Sequence, residues 1–137
     1  MSKRVFLSKE ITVKVINEVG ILTKITSFLR DNNINLEGIA GYARQIGQDA
    51  ELIFVTNDNV AAIEALRKSG YEQISEQDVL MVELENRPGM LKSISEILSA
   101  NGININYIYG TTCLSGCPAK IVVMTSDNAR AFELLND

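Results

Sequence analysis

Slid over itself by 69 residues, the chain matches itself without a gap. Between Val13 and Leu66, 19 of 54 positions are identical to the residue 69 further on. Asn17-Glu18-Val19-Gly20-Ile21-Leu22 falls on Asn86-Arg87-Pro88-Gly89-Met90-Leu91, Ile34-Asn35 on Ile103-Asn104, and Gly41 on Gly110. Late in the unit, Thr56, Asp58 and Asn59 fall on Thr125, Asp127 and Asn128. A gapless register of that length indicates duplication. Two copies are too few for a solenoid, which needs three or more, so two small paired domains are expected rather than the one ordinary domain that 137 residues would suggest.

Within a unit, Ile11, Val13 and Val15 alternate along one face, as do Leu80, Val82 and Leu84 in the second copy, which predicts half-buried strands. A glycine turn follows. Leu22, Ile25, Phe28 and Leu29, or Leu91, Ile94, Ile97 and Leu98, then recur at helical spacing with one apolar stripe. Pro88 suits the first turn of a helix. Asn32-Asn33 and Asn101-Gly102 are expected to end the helices. Strands are predicted from Ile34 to about Tyr42 and from Ile103 to about Thr111, then over Leu52–Thr56 and Ile121–Thr125. Asp58 and Asp127 are placed to cap second helices, and Tyr71–Gln77 reads as a fourth strand. Each unit is thus β-α-β-β-α-β, the ferredoxin-like order. The fold class is α+β: two four-stranded antiparallel sheets, each with two helices on one face, paired side by side.

The expected domains are 9–77 and 78–137. The second lacks a final strand, because the sequence given stops at Asp137. Residues 4–7 fall in the repeat register on residues 73–76, the fourth strand of the first copy. Residues 3–8 therefore have two readings of equal standing: an edge strand for the second domain, or an extension of the first strand of the first.

Composition narrows the chemistry. The chain contains no histidine, which excludes Ser-His and Cys-His mechanisms and any His-ligated metal. Net charge is −4 and pI about 4.9. Residues 1–77 carry 9 basic and 10 acidic side chains, and residues 78–137 carry 4 and 7, so neither half offers a basic patch for nucleic acid. The N-terminus has no apolar signal core, and no apolar run approaches the ~18 residues of a membrane span. The expectation is a cytoplasmic, non-enzymatic protein without cofactor or metal. Neither GxGxxG nor a GxxxxGK[ST] loop is present.

The motif that carries a function is Asn-x-x-Gly-x-Leu-x-x-Ile-x-x-x-Leu, at 17–29 and 86–98. Glycine at a strand-to-helix turn permits positive φ and close approach of a ligand. The free N–H groups of the helix start can bind a carboxylate. The ordinary reading is a tight turn capped by the asparagine with nothing bound. Asn35 and Asn104 are expected inside strands, where asparagine is disfavoured. There they could meet an ammonium and a carboxylate, or be exposed polar residues on an open sheet face. Cys113 and Cys117 lie in the loop between the middle strands of copy two, where copy one has Arg44 and Gln48. Two thiols are too few for a metal site. They are either unpaired thiols or a reversible disulfide in a loop that Gly116 lets bend.

With these residues in view, the repeated unit resembles an ACT domain, the small regulatory module of amino-acid metabolism. Leu84-Glu-Asn-Arg-Pro-Gly-Met-Leu91 followed by Asn101-Gly-Ile-Asn-Ile105 is especially similar to the serine-binding regulatory domain of bacterial phosphoglycerate dehydrogenase. The resemblance spans nearly the whole chain, twice, and is weaker in copy one, which lacks the proline. It implies an amino acid bound at the seam between paired domains. The implied ligand residues are Asn17, Val19, Gly20, Ile21, Leu22 and Asn35, with Asn86, Pro88, Gly89, Met90, Leu91 and Asn104. Where the dehydrogenase has a histidine two residues before the loop asparagine, this chain has Leu84, or Val15 in copy one; that departure points away from serine and toward a more apolar ligand, or none. The resemblance further implies a protein that acts on a metabolic enzyme in trans, and exposed sheet or helix edges are expected to drive homodimer formation, since symmetric pairing is common. The alternative is a ligand-free oligomerisation module.

Overall fold

A computed structural model describes residues 3–136. Asp137, the expected end of the second domain, lies outside the described residues. The elements are β1 (Lys3–Ile16), α1 (Ile21–Asp31), β2 (Leu36–Tyr42), β3 (Asp49–Thr56), α2 (Asn59–Lys68), β4 (Ile74–Leu84), α3 (Met90–Ala100), β5 (Ile105–Thr111), β6 (Ala119–Thr125) and α4 (Asn128–Leu135). By contacts the chain falls into two compact units. One is Lys9–Gln77. The other joins the residues up to Ser8 to those from Asp78 onward.

In the 9–77 unit the strand order is β2-β3-β1-β4. β1 pairs antiparallel with β3 (Ile11 opposite Phe54, Val15 opposite Ala50), and β2 flanks β3 antiparallel. β4 lies beside β1, and just before β4 begins the Lys14 N–H donates to Gln73 O at 3.0 Å. Because β1 alternates, Ile11, Val13 and Val15 share one face and are at most 5% exposed. Phe54, Ile25 and Leu29 of α1, and Ala62 and Leu66 of α2 close over them, so both helices cover the same face. Glu10 is fully buried on β1. It accepts a hydrogen bond from Gln77 Nε2 (2.9 Å), which also donates to Thr12 Oγ1 (2.6 Å). A buried carboxylate needs such partners, because burying an unsatisfied charge is costly.

The second unit repeats the plan as β1-β4-β6-β5. Leu80, Val82 and Leu84 of β4 meet Ile94 and Leu98 of α3, Ala131 and Leu135 of α4, and Val123 of β6. The segment Lys3–Ser8 lies in this unit, with Val5 (8% exposed) in its core and Arg4 Nη1 3.6 Å from Glu83. Residues 3–8 and 11–16, which the periodicity reads separately, are one strand, and so are 74–77 and 80–84.

Short-range signals hold in both copies. Asp58 accepts from the Ala61 N–H and Asp127 from the Arg130 N–H, each at 3.1 Å. Helix α1 ends in a Schellman motif: Ile34 N–H to Leu29 O (2.9 Å), Asn33 N–H to Arg30 O (2.9 Å), with Asn33 at φ +57°. Helix α3 ends in the same way at Asn101-Gly102.

Candidate functional site

The strand-to-helix turns are built on Gly20 (φ +86°) and Gly89 (φ +89°), which are themselves the N-cap residues of α1 and α3. A side chain is disfavoured at such φ, which is why both copies keep glycine there. No side chain caps either helix. Two expectations are therefore corrected. Asn17 and Asn86 are not helix caps, because a cap must sit next to the first helical residue and glycine occupies that place. Pro88 is not in the first turn of the helix. It precedes the cap, where its fixed φ shapes the turn that leads into Gly89.

In the second unit this turn opens on a pocket of about 270 Å³. Asn86, Arg87, Met90 and Leu91 line one side. Gly110, Thr111 and Thr112 at the end of β5, with Ala119 and Ile121, line the other, and Leu84 and Glu85 contribute from the end of β4. Arg87 Nε donates to Glu85 Oε2 at 2.6 Å, which holds a charged pair at the mouth. Thus Asn86, Met90 and Leu91 are brought together, with Pro88 and Gly89 forming the turn between them. Leu91 is 49% exposed, although the helical stripe predicts it to be buried.

Asn104 is not part of this group. It lies before β5, and Thr111 ends that strand, so the length of β5, roughly 20 Å, separates it from the pocket. Nor are Asn35 and Asn104 inside strands, as expected. Both occupy the link between helix and strand. There the Asn35 N–H donates to Asn57 Oδ1 (2.9 Å) and the Asn104 N–H to Ser126 Oγ (2.9 Å). The Asn57 and Ser126 N–H groups return bonds to the Asn35 and Asn104 carbonyls. These reciprocal clamps satisfy backbone groups that the β2 and β5 ladders do not reach. Asn35 also lines an open cleft of about 480 Å³ with Thr26, Arg30, Asn33 and Asn57.

The first unit treats its turn differently. Asn17 Nδ2 donates to Gln45 O (3.0 Å), the Asn17 N–H to Gln48 O (2.8 Å), and the Gly47 N–H to Asn17 O (2.8 Å). The loop after β2 is thereby fastened to Asn17. Val19 is 93% exposed beside Gly20, and Ile21 and Leu22 open the helix, Ile21 half-buried and Leu22 47% exposed. Lys24 Nζ lies 2.9 Å from Glu18 Oε1; the hydrogen bond and the charge of Glu18 raise the Lys24 pKa.

Cys113 and Cys117 are joined by a disulfide, with Cα atoms 5.3 Å apart, which replaces the reading as unpaired thiols. Sequence reading missed Glu85, Thr111, Thr112 and Ala119. They come from strand ends distant in sequence, and only the β4–β6–β5 ladders bring them to the turn.

Gly110 has a packing role that its counterpart lacks. A Cβ there would lie 2.8 Å from Lys120 O and press on Ile121 Cδ1; at Gly41 it would meet only Leu52 Cδ2, at 3.1 Å. Gly110→Ala is expected to destabilise the second unit by about 1–3 kcal/mol, as overpacking does. Gly41→Ala should cost less than ~1 kcal/mol, because a leucine methyl can rotate away. Urea denaturation of both variants checks the difference; equal losses would contradict it.

Two ferredoxin-like units in one chain, each with four strands, two helices on one face and a glycine turn at its first helix, define a tandem of small α+β domains. The family model of the ACT domain pair matches residues 7–136, and the chain belongs to that family. Protein BT0572 from Bacteroides thetaiotaomicron is 26% identical, with 96% of this chain and 88% of that one covered and a TM-score of 0.86. The aspartokinase alpha and beta subunits share 20% identity over 96% of this chain and 94% of that chain, with a TM-score of 0.68. The ligand-free regulatory subunit of aspartate kinase from Thermus thermophilus shares 16% over 98% and 94%, with a TM-score of 0.71. The last two likenesses are of fold. No curated protein matches the chain. No helix among the described residues is long and apolar enough to cross a membrane.

Proposed function

We propose that this chain is a regulatory protein that binds a free amino acid and modulates a partner enzyme in trans. The carrying observation is the uncapped first turn of α3 opening on the pocket beside Asn86. The N–H groups at a helix start attract a carboxylate, and Arg87, paired through Nε with Glu85, keeps further guanidinium donors at the same mouth. Asn86 Oδ1 and Glu85 offer acceptors for an ammonium. The wall of Leu84, Met90, Leu91 and Ile121 favours an apolar side chain, with Leu84 where the dehydrogenase has its histidine. A volume of about 270 Å³ suits one amino acid. Within one unit Asn86 and Asn104 are too far apart to share a ligand, so a ligand touching both types of asparagine needs two domains.

Ligand binding would stabilise one domain arrangement, and so change a partner's affinity through differential binding. Family membership and the fold shared with aspartate kinase regulatory subunits support this reading. Homodimer formation is part of it, since symmetric pairing is the commonest assembly of such proteins.

The test is a thermal-shift and calorimetric panel of the twenty amino acids at millimolar concentration. One apolar amino acid is expected to raise Tm. Asn86→Ala and Gly89→Val are expected to abolish the shift, the second because a branched side chain at φ +89° forces the turn open. Silence across the panel, together with self-association by sedimentation, would favour a ligand-free oligomerisation module instead.

A further inference from the structure

We propose that the Cys113–Cys117 disulfide is a redox-controlled clip that shapes the pocket of the second unit and leaves the first unit unaffected. The proposal rests on the ligand-binding reading of that pocket. Its starting point is the contrast between two loops in identical places. In the first unit, three hydrogen bonds fasten the loop after β2 to Asn17. In the second, no hydrogen bond among the described residues joins the loop after β5 to Asn86. That loop is closed on itself. The disulfide spans it, the Cys117 N–H donates to Cys113 Sγ (2.9 Å), and Thr112 Oγ1 donates to Cys117 O (3.1 Å).

The two ends of this loop, Thr111 and Thr112 before it and Ala119 after it, line the wall opposite Asn86. Thr111 and Ala119 are held by the strand ladders, and Thr112 beyond them is held by its bond to Cys117 O, so the clip fixes the Thr112 part of the pocket mouth. Cys117 is exposed, and Leu114 at the loop tip is wholly exposed, so a reductant can reach the bond. A five-residue ring gains little from restricting the unfolded chain, and exposed disulfides are the readily reduced ones.

The reductant is a dithiol. Its thiolate attacks one cysteine sulfur, the S–S bond breaks, and a mixed disulfide forms. The second thiol of the reductant then displaces the other cysteine. Two electrons and two protons end on Cys113 and Cys117, and the dithiol becomes a cyclic disulfide. The reduced loop has neither the clip nor a tether to Asn86, so Thr112 at the pocket mouth loses its anchor. Ligand affinity falls, and by reciprocity a bound ligand favours the oxidised form.

Amide hydrogen exchange on the full chain, with and without dithiothreitol, tests this. Reduction is expected to speed exchange at least tenfold in residues 111–119 and 86–92, with 42–49 and 17–23 unchanged. The Cys113→Ser, Cys117→Ser double variant should show the fast pattern in both buffers. Unchanged exchange in 111–119, or equal acceleration in both units, would overturn the clip. The amino-acid panel is run in both buffers. A ligand whose Kd rises about tenfold on reduction supports the proposal, and a ligand bound equally well in both states overturns it. A silent panel with the exchange pattern present removes the ligand reading alone.

Discussion

Deleting residues 1–8 is expected to unfold the unit that begins at Asp78 while leaving 9–77 folded. Val5 is 8% exposed in the core of that unit, among Leu80, Val82 and Leu135. Burial of a valine contributes about 1.5–3 kcal/mol, and the deleted strand also supplies the ladder beside β4. Without it, β4 becomes an open edge with an apolar face, which invites aggregation. The loss should exceed about 3 kcal/mol, a large share of the stability of a domain this small. Val5→Asp makes the same point without shortening the chain, since it places an unpaired charge in the core. Hydrogen exchange resolved by segment is the measurement. Protection should vanish over α3 and α4 and persist over α1 and α2. Uniform loss across both units, or no loss at all, would show that residues 3–8 are not the edge strand on which the second unit alone depends. We propose on this basis that the two units are separate folding domains, with the chain leaving one before completing it.

Phe54→Ala is the complementary experiment in the other unit. Phe54 is fully buried among Ile11, Ile25, Leu29 and Leu66, and its counterpart in the second unit is Val123. Truncating a buried phenylalanine costs about 3–5 kcal/mol, from lost transfer energy and the cavity left behind. Val123→Ala removes two methyl groups and should cost about 2 kcal/mol. Denaturant midpoints are expected to rank in that order, with loss of protection in 9–77 for the first variant and in 78–136 for the second. Equal midpoints would mean that the cavity at Phe54 collapses.

The comparison of these two positions shows how far the sequence could be read. The repeat places Phe54 on Val123, and the alternation of Ile11, Val13 and Val15 points those side chains to one face. Caps and stops were legible because they depend on neighbours within four residues: Asp58 reaches the Ala61 N–H, and Asn33 takes a positive φ that few other side chains accept. Asn17 departs from its expected role for the converse reason. As a turn residue three places before Gly20 it resembles a cap, yet its amide goes to Gln45, 28 residues away. Apolar neighbours flank Asn35 and Asn104, which is the pattern of a strand interior, yet both lie outside the strands. Both stand one residue before the first ladder pair, Leu36 with Thr56 and Ile105 with Thr125, where the side chains of Asn57 and Ser126 take their N–H groups.

Of the pocket, the sequence supplied the turn: Asn86, Met90 and Leu91 around an obligatory glycine. The opposite wall, from Gly110 to Thr112 with Ala119, was invisible because it is assembled by strand pairing. The sequence alone determined that there are two ferredoxin-like units in a register of 69, since periodicity and duplication are properties of the chain itself. Only the tertiary structure decided that Lys3–Ser8 and Lys9–Ile16 form one strand serving different units, and that Cys113 and Cys117 meet. Both depend on which segments approach in space, and side-chain periodicity is the same whichever sheet a strand joins.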